Sequence, residues 1–537
     1  MKIVIILILS CIAINHCFSQ SQWQIKIGGT NYYNANSIKR TLDYGYILAG
    51  ETFLWNSNSY SLFIVKLNSI STLQWTRTIG GPGYNKANSI IQTSDHGFAV
   101  AGFTAFGAGN EDMYIVKLDS NGSFQWNKAI GGTGDDYVKA VIQTTDGGYV
   151  LVGHTLSFGL GIYIVKLDAT GTIQWTKTMG IGSADIGNSI IQTKNNGYVI
   201  AGSTGSYGTG SPHMYIIKLD SNWIIEWSRT VGGSSGEYAY SIIQTVDSGY
   251  VAAGDTFFGA GYFDMYLAKL SSSGSLQWTR TIGGNRNDVA YSIIQTLDSG
   301  VIAAGRTESF GAGDPGDMYI VKLNSNGILE WSKSIGGPNG ETAYSIVQSS
   351  DSGYVITGNT YSFGAYVYDL YTVKIDKNGN SCGNSSSLTS ISGSGGILGI
   401  PNSSITFPAS TITTPTPVIS SDGTHTTLCL VGSHRNSNEI PKAFELEQNY
   451  PNPFNPTTKI KFAVPSNVKG ETSNVKIIVY DILGKEVITL VNEQLQPGTY
   501  EVEFDGSKYS SGVYFYKLSA ESGLGESTKT KKMLLVK

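Results

Sequence analysis

The sequence predicts an all-β protein, in which a seven-bladed β-propeller is followed by a linker and a small C-terminal β-sandwich. Composition is the first observation, because 66 of 537 residues are glycine, 32 are tyrosine and only 14% are charged, which is typical of many strands and turns. No window of helical length has a 3.6-residue hydrophobic period. A tryptophan also recurs about every 50 residues, a period in the range of propeller blades: Trp23, Trp75, Trp126, Trp175, Trp227, Trp278 and Trp331.

Each repeat contains four short runs of β-branched and aromatic residues, bounded by Gly, Asn, Asp and Ser. Examples are residues 189–193, 197–202, 113–118 and 74–81, which represent the first to fourth run of a repeat. Four antiparallel strands per repeat are typical of a propeller blade. We expect the recurring tryptophan to pack between blades.

The two ends of the repeat region predict how the propeller closes. The seventh repeat loses its tryptophan run after residue 375, whereas residues 21–29 supply an extra run before the first repeat. We therefore expect the N-terminal strand to close the last blade as its outermost strand, which removes two open sheet edges. The predicted propeller domain spans residues 20–379.

Two polar positions recur in the repeats. An Asp-x-Gly motif follows the first run of six repeats, as at Asp43–Gly45, and predicts a turn closed by the Asp side chain. A lysine in the third run, as at Lys66, occurs in all seven repeats. We expect these lysines to protect outer strands from edge-to-edge pairing; the alternative is an anion-binding surface.

An acidic residue at the start of the first run is the sharper candidate for function. Five repeats carry it: Asp136, Asp185, Glu237, Asp288 and Glu341. In a propeller these carboxylates could surround one mouth of the channel, where they would bind a ligand or a cation such as Ca²⁺. The alternative, which we favour, is that each acid caps its own loop or pairs with a neighbour.

The sequence predicts no catalytic residue, no metal centre and no other cofactor. Catalysis on a polysaccharide would need a positioned acid and base or a nucleophile, and the near-identical repeats contain no single unusual set of such residues. His96, His154 and His213 have no ligand spacing. Whether the protein is an enzyme stays open, and the balance is against it.

The N-terminus predicts export. Lys2 precedes an apolar run of signal-peptide length, and small residues at Cys17 and Ser19 predict cleavage between Ser19 and Gln20, so that residues 1–19 are the signal peptide. The alternative is a lipoprotein signal with Cys11 modified. No later apolar stretch is long enough for a transmembrane helix. The net charge of −4 gives no indication of nucleic-acid binding.

Two cysteines remain after the predicted cleavage. Cys382 and Cys429 could form a disulfide in an oxidising compartment. They lie in residues 380–440, where Ser, Thr, Gly and Pro dominate, and this composition predicts an extended linker.

Residues 441–537 show a different pattern, with five strand-like runs that predict a small β-sandwich. Three motifs, Tyr450–Pro456, Val479–Lys485 and Gly512–Lys517, precede a basic-ended tail. In this order they closely resemble the type A C-terminal sorting domain of the type IX (Por) secretion system. The tail is the best candidate for the sorting motif: Lys531, Lys532, Met533, Leu534, Leu535, Val536 and Lys537.

That resemblance implies export through the periplasm of a Gram-negative bacterium and passage across its outer membrane by the type IX machinery. It further implies removal of the domain, followed by release or attachment to surface polysaccharide. A looser resemblance links the repeats to quinoprotein-type propellers, since residues 118–126 contain Asp, Gly and Trp in a similar arrangement. The vicinal cysteines and eighth blade of the quinone enzymes are missing, so this resemblance supports the fold only.

Together these observations predict an exported cargo of the type IX system whose propeller is a binding or adhesion module, recognising surface polysaccharide or a protein partner. Two alternatives stay open. One is a secreted hydrolase or lyase that acts on polysaccharide, and the other is a structural component of the cell surface or matrix.

Overall fold

The computed structural model describes residues 22–537 except 55–57, 82, 181–184, 208–211, 234, 258–261, 312–314, 364–366, 466–472, 496, 507–508, 523–524, 537 and the segments that separate short strands between 383 and 442. The described residues form strands and turns and no helix. They divide into two compact units, Gln22–Cys429 and Leu430–Lys537. In the described part of the chain, no helix of the length and hydrophobicity of a membrane span occurs.

The strands before residue 380 are β1 (Gln22–Gly28), β2 (Tyr32–Arg40), β3 (Tyr46–Leu54), β4 (Ser59–Leu67), β5 (Leu73–Gly80), β6 (Asn85–Gln92), β7 (Phe98–Thr104), β8 (Asp112–Leu118), β9 (Phe124–Gly131), β10 (Asp136–Gln143), β11 (Tyr149–Thr155), β12 (Gly161–Leu167), β13 (Ile173–Met179), β14 (Ile186–Gln192), β15 (Tyr198–Thr204), β16 (His213–Leu219), β17 (Ile225–Gly232), β18 (Glu237–Gln244), β19 (Tyr250–Thr256), β20 (Asp264–Leu270), β21 (Leu276–Gly283), β22 (Asp288–Gln295), β23 (Val301–Thr307), β24 (Asp317–Leu323), β25 (Leu329–Ile335), β26 (Glu341–Gln348), β27 (Tyr354–Thr360) and β28 (Asp369–Ile375).

The strands after residue 380 are β29 (Ser385–Ser387), β30 (Ile391–Gly393), β31 (Ile397–Gly399), β32 (Ile405–Thr406), β33 (Thr411–Thr413), β34 (Val418–Ser420), β35 (Thr424–Val431), β36 (His434–Ser437), β37 (Glu445–Leu446), β38 (Thr457–Val464), β39 (Ser473–Tyr480), β40 (Glu486–Leu495), β41 (Gly498–Asp505), β42 (Gly512–Ser522) and β43 (Gly525–Leu535).

The first unit contains seven antiparallel sheets, one for each repeat. Sheets 1 to 6 take four consecutive strands each from β2 to β25, and sheet 7 takes β26, β27 and β28. Strand β1 completes sheet 7 by pairing with β28, with Trp23 opposite Lys374 and Ile27 opposite Leu370. This is the pairing that the missing tryptophan run predicts.

Neighbouring sheets meet through their first strands in a closed cycle. The amide of Ile90 in sheet 2 donates a hydrogen bond to Ser37 Oγ in sheet 1, at 3.3 Å. Equivalent bonds recur at four further interfaces, and the amide of Ile38 in sheet 1 donates to Ser345 Oγ in sheet 7 at 3.2 Å. The interface between sheets 3 and 4 has Ala140 in place of the serine. Sheet 7 therefore contacts sheet 1, and the order of the sheets closes on itself.

The hydrophobic core lies between successive sheets. Ile47 and Ile64 of sheet 1, for example, pack with Phe98, Val100 and Tyr114 of sheet 2, all at most 1% exposed. The repeated tryptophan contributes to this packing, since the rings of Trp75 and Phe98 lie 5.9 Å apart. Such interdigitating apolar faces explain why every strand of a repeat is rich in β-branched and aromatic residues.

The recurring lysines are buried, contrary to our expectation of exposed charge on outer strands. Lys66 is 4% exposed; its ammonium group bonds Asp43 at 2.8 Å and donates to the carbonyl of Leu67 at 3.0 Å. Asp43 also accepts from the amide of Gly45, as the Asp-x-Gly turn predicts. The lysine thus fixes the turn to the third strand, because its stem is covered by the sheet while its charge is paired.

Within the predicted linker, the seven strands β29 to β35 add a fifth strand to every sheet. Strands β29 to β34 pair with the fourth strands of sheets 6, 5, 4, 3, 2 and 1 in that order, and β35 pairs with β1 of sheet 7. We call these seven strands the belt. The outer edges of the sheets explain it, since an unpaired edge exposes amide and carbonyl groups that a further strand satisfies.

The C-terminal unit has two four-stranded sheets, ordered β36-β41-β38-β37 and β40-β39-β42-β43. They share one hydrophobic core that includes Phe454, Ile477, Tyr516 and Met533. The motif at residues 450–456 is fixed to the C-terminal strand, because the amide of Phe454 donates to the carbonyl of Leu534 and the amide of Val536 donates to that of Phe454.

Candidate functional site

The five predicted carboxylates are buried, so they do not form an exposed set at a channel mouth. Asp136, Asp185, Glu237, Asp288 and Glu341 are each at most 1% exposed. Asp136 accepts hydrogen bonds from Ser157 Oγ at 2.6 Å and from the amide of Gly132 at 2.9 Å. Equivalent hydroxyl contacts hold Asp185, Asp288 and Glu341. These are the contacts of the alternative in which each acid caps its own loop.

Three of these acids also face a second carboxyl group. A methyl group added at Gly131 would lie 1.8 Å from Asp112 Oδ1 and 2.5 Å from Asp136 Oδ2, which places the two carboxyl groups within a few ångströms of each other. Gly283 and Gly336 stand in the same relation to the pairs Asp264–Asp288 and Asp317–Glu341. Burial, together with the neighbouring Asp136, raises the pKa of Asp112, as expected when two carboxyl groups are close together in a protein interior.

The equivalent positions in other sheets hold hydrogen-bonding pairs of different chemistry. His213 Nδ1 lies 3.0 Å from Glu237 Oε2, and Lys26 Nζ lies 2.8 Å from Asp369 Oδ2. Ca²⁺ takes oxygen ligands, and neither a histidine nor a lysine supplies one. In the described part of the chain, no group of three or more His, Cys, Asp or Glu residues could hold a metal ion. The repeats therefore favour a structural hydrogen bond at this position.

A more varied set of residues lies at the end of the second strand. The motif Gly-x-Thr ends this strand in six sheets and lies two residues before the end of β3 in sheet 1, and its middle residue differs in each sheet. The seven residues, which we call the variable cluster, are Glu51, Phe103, His154, Ser203, Asp255, Arg306 and Asn359. Each pairs across the sheet with a residue near the start of the first strand, for example Tyr238 with Asp255 and Tyr137 with His154. Variation within a repeated framework indicates a site with its own chemistry.

A β-bulge in every first strand adds a second layer to this site. The bulged residues are Asn36, Asn88, Lys139, Asn188, Tyr240, Tyr291 and Tyr344, between residues that keep the register. The three tyrosines lie side by side, with ring centroids 5.4 and 5.3 Å apart. The asparagines bind the next sheet, as Asn36 Nδ2 does at the carbonyl of Ala87. Bulges redirect side chains in this way next to functional sites.

Asp255 is the most distinctive member of the variable cluster. Tyr240 donates a hydrogen bond to its Oδ2 at 3.3 Å, while its Oδ1 has no hydrogen-bond partner among the described residues. The residue is 4% exposed, and burial raises the pKa of Asp255 to about 7. A carboxyl group with an unused acceptor beside a tyrosine hydroxyl is a candidate for binding a ligand that donates hydrogen bonds, and because this oxygen is buried, the side chains around it would have to move to admit the ligand.

The rest of the variable cluster has a different electrostatic character. Glu51 bonds Lys86 at 3.1 Å and Tyr84 OH at 3.3 Å, and Arg306 bonds Glu308 at 3.0 Å. His154 stacks on Tyr137, with ring centroids 4.8 Å apart. Burial and the nearby Lys139 lower the pKa of His154 to about 4, so this ring is neutral at pH 7. The cluster thus combines paired charges, aromatic faces and one partly unsatisfied carboxyl group.

Sequence reasoning missed the variable cluster. It singled out the acids because they recur, whereas the candidate site described here is the position whose residue differs in every repeat. Comparing the Gly-x-Thr motifs of the seven repeats would have found it.

The other predicted sites stand as follows. The signal peptide and its cleavage site at Ser19 and Gln20 lie outside the described residues. Cys382 is buried, but the side chain of Cys429 is not described, so their disulfide stays a prediction. Residues 531–535 of the tail lie on β43, where Tyr514 pairs with Met533; Lys537 lies outside the described residues.

The fold and its tail define a class: an all-β repeat protein that carries a C-terminal signal for export. More particularly, residues 448–536 match the family model described as the secretion system C-terminal sorting domain, known as the Por secretion tail. The C-terminal unit is therefore a type IX sorting domain, as the tail motifs predict, and the chain is a cargo of that system that is exported to the cell surface or secreted.

Comparison with solved structures gives distant likenesses. One is to PorZ, described as an essential bacterial surface component of the type-IX secretion system of human oral-microbiomic Porphyromonas gingivalis, with 13% identity and a TM-score of 0.41 over 91% of this chain and 58% of that chain. Another is to a tetra-tandem repeat in the extending region of a large adhesion protein, with 12% identity and a TM-score of 0.15 over 86% of this chain and 96% of that chain. No curated protein matches the chain.

Proposed function

We propose that this protein is an exported binding module whose seven sheets form a seven-bladed β-propeller, with β1 closing the last blade and a small β-sandwich as its sorting domain. Serine contacts at six of the seven interfaces between first strands, together with the apolar core shared by sheets 3 and 4 at the seventh, support the propeller. The single core shared by two four-stranded sheets supports the sandwich. A signal peptide ending at Ser19 would direct the chain into the periplasm, and the tail at residues 531–537 would then be recognised by the type IX machinery.

The ligand of the proposed module binds at the variable cluster, and the observation that carries this proposal is the seven different residues at one repeated position. Asp255 has a buried carboxylate oxygen with no hydrogen-bond partner among the described residues, and Tyr240 donates to its other oxygen. The rings of Tyr291 and Tyr344 continue side by side from Tyr240. Sugars suit this combination, because their hydroxyl groups can donate hydrogen bonds to the acceptor and their weakly apolar faces can pack on the aromatic rings. We therefore propose a surface polysaccharide as the ligand. Because the five buried acids have protein partners, we place no Ca²⁺ in the proposed ligand site.

A polysaccharide array probed with the mature chain tests this function. We expect specific binding that is unchanged by a Ca²⁺ chelator and reduced at least tenfold by Asp255→Asn, because the substitution replaces an acceptor oxygen by a donor. Asp247→Asn is the matched control, since Asp247 lies in an Asp-x-Gly turn of the same sheet. Binding that Asp255→Asn leaves intact would place the ligand elsewhere, and no binding to any polysaccharide would contradict the proposed ligand class.

One observation favours a second function, a hydrolase or lyase. An aspartate with a pKa of about 7 beside a tyrosine hydroxyl could act as an acid and base near neutral pH. Release of reducing ends or unsaturated products from a bound polysaccharide, abolished by Asp255→Asn, would establish this function in place of simple binding.

A further inference from the structure

The belt makes a complete circuit of the seven sheets. The chain leaves sheet 7 after β28, pairs in turn with sheets 6, 5, 4, 3, 2 and 1, and returns to sheet 7, where β35 lies beside β1. The pairings follow one antiparallel pattern; Leu398 lies opposite Val231, Ile412 opposite Ile130 and Ile419 opposite Ile79. The belt therefore begins and ends at the same sheet.

The two cysteines lie at these two ends. Cys382 follows β28 and is 4% exposed. The residue before it, Ser381, accepts a hydrogen bond from Gln24 of β1 at 3.4 Å. Cys429 lies in β35, the neighbour of β1 on its other edge. Both ends of the belt are therefore held against the same N-terminal strand.

We propose that a disulfide between Cys382 and Cys429 closes the belt into a covalent loop that surrounds all seven sheets. The step oxidises two thiols to one S–S bond with loss of two protons and two electrons. A dithiol oxidase of the export compartment accepts the electrons by reduction of its own disulfide. The proposal goes beyond ligand binding, because it concerns what keeps the ring of sheets together outside the cell.

Closure matters because the individual belt strands are short. Strands β29 to β34 have two or three residues each, and a pairing of that length is marginal by itself. With its ends joined, the belt cannot leave one sheet edge without straining its contacts with the others, and the unfolded chain loses entropy. The disulfide at sheet 7 should therefore slow the opening of the belt pairings at sheets 3 and 4, on the opposite side of the ring.

Hydrogen exchange of the full mature chain tests the closed loop. We expect no free thiol in the oxidised protein. We also expect reduction and alkylation to speed the exchange of amides in β13 and β17, which lie in sheets 3 and 4, by on the order of 100-fold. Inner strands such as β15 are the internal control and should change little, which shows that the reduced chain remains folded. The double variant Cys382→Ser, Cys429→Ser should behave like the reduced protein.

Two results would overturn the proposal. Free thiols in the oxidised chain would show that the bond does not form. Faster exchange confined to sheet 7, with β13 and β17 unchanged, would show a local crosslink that does not secure the belt.

Discussion

Gly131→Ala is expected to destabilise the protein by about 3 kcal/mol, because its new methyl group would lie between two buried carboxyl groups. The added carbon would be 1.8 Å from Asp112 Oδ1 and 2.5 Å from Asp136 Oδ2, and both side chains are fully buried, so they have little room to move away. The measurement is the free energy of unfolding from urea denaturation. Gly29→Ala is the matched control, since an added methyl group there meets no atom within 4 Å.

The same substitution tests the carboxyl pair itself. Asp112→Ala in the Gly131→Ala background should recover part of the loss, because it removes the carboxyl group that the methyl group meets. Equal stability of Gly131→Ala and Gly29→Ala would mean that Asp112 and Asp136 do not face each other at this interface.

Lys26→Met is expected to cost about 3–5 kcal/mol at pH 8, because it leaves the carboxylate of Asp369 buried without its charged partner. The Asp369 side chain is 1% exposed and bonds Lys26 at 2.8 Å. This ion pair joins β1 to β28, so its loss weakens the closure of sheet 7. The double variant Lys26→Met, Asp369→Asn should recover most of the stability, because it removes the buried charge.

The cost of Lys26→Met should depend on pH. Burial raises the pKa of Asp369, and removal of Lys26 raises it further. A group whose pKa is raised in the folded state contributes stability that is present at low pH and lost as the pH rises through the folded pKa. The variant should therefore be closer to the wild type at pH 5 than at pH 8. A deficit that is the same at both pH values would contradict a buried, unpaired carboxylate.

Much of the first unit could be predicted from the sequence because its repeats are long and alternate regularly. The spacing of the tryptophans predicted seven sheets, and the run at residues 21–29 predicted the strand β1 that pairs with β28. Strands β29 to β34 of the belt escaped prediction because strands of two or three residues are too short to show a period, and the Ser, Thr, Gly and Pro content of this region is typical of linkers.

The site was less predictable for a physical reason. The position of Asp136 at a strand start does not indicate whether its side chain enters a channel or an interface between sheets. Which of these two environments surrounds Asp136 depends on Asp112, Gly131 and Ser157. These residues are distant in the sequence, and the fold brings them together. Lys66 was misjudged similarly, because an apolar stem and a turn aspartate together bury a charge that composition alone places in solvent.

The pH dependence of ligand affinity tests most directly the claim that Asp255 is the centre of the binding site. Since the pKa of Asp255 is about 7 and the ligand donates to the ionised carboxylate, affinity should rise on the order of tenfold from pH 6 to pH 8. The rise should disappear in Asp255→Asn and persist in Asp247→Asn. An affinity independent of pH, or a rise that survives in Asp255→Asn, would contradict the assignment of the variable cluster as the ligand site.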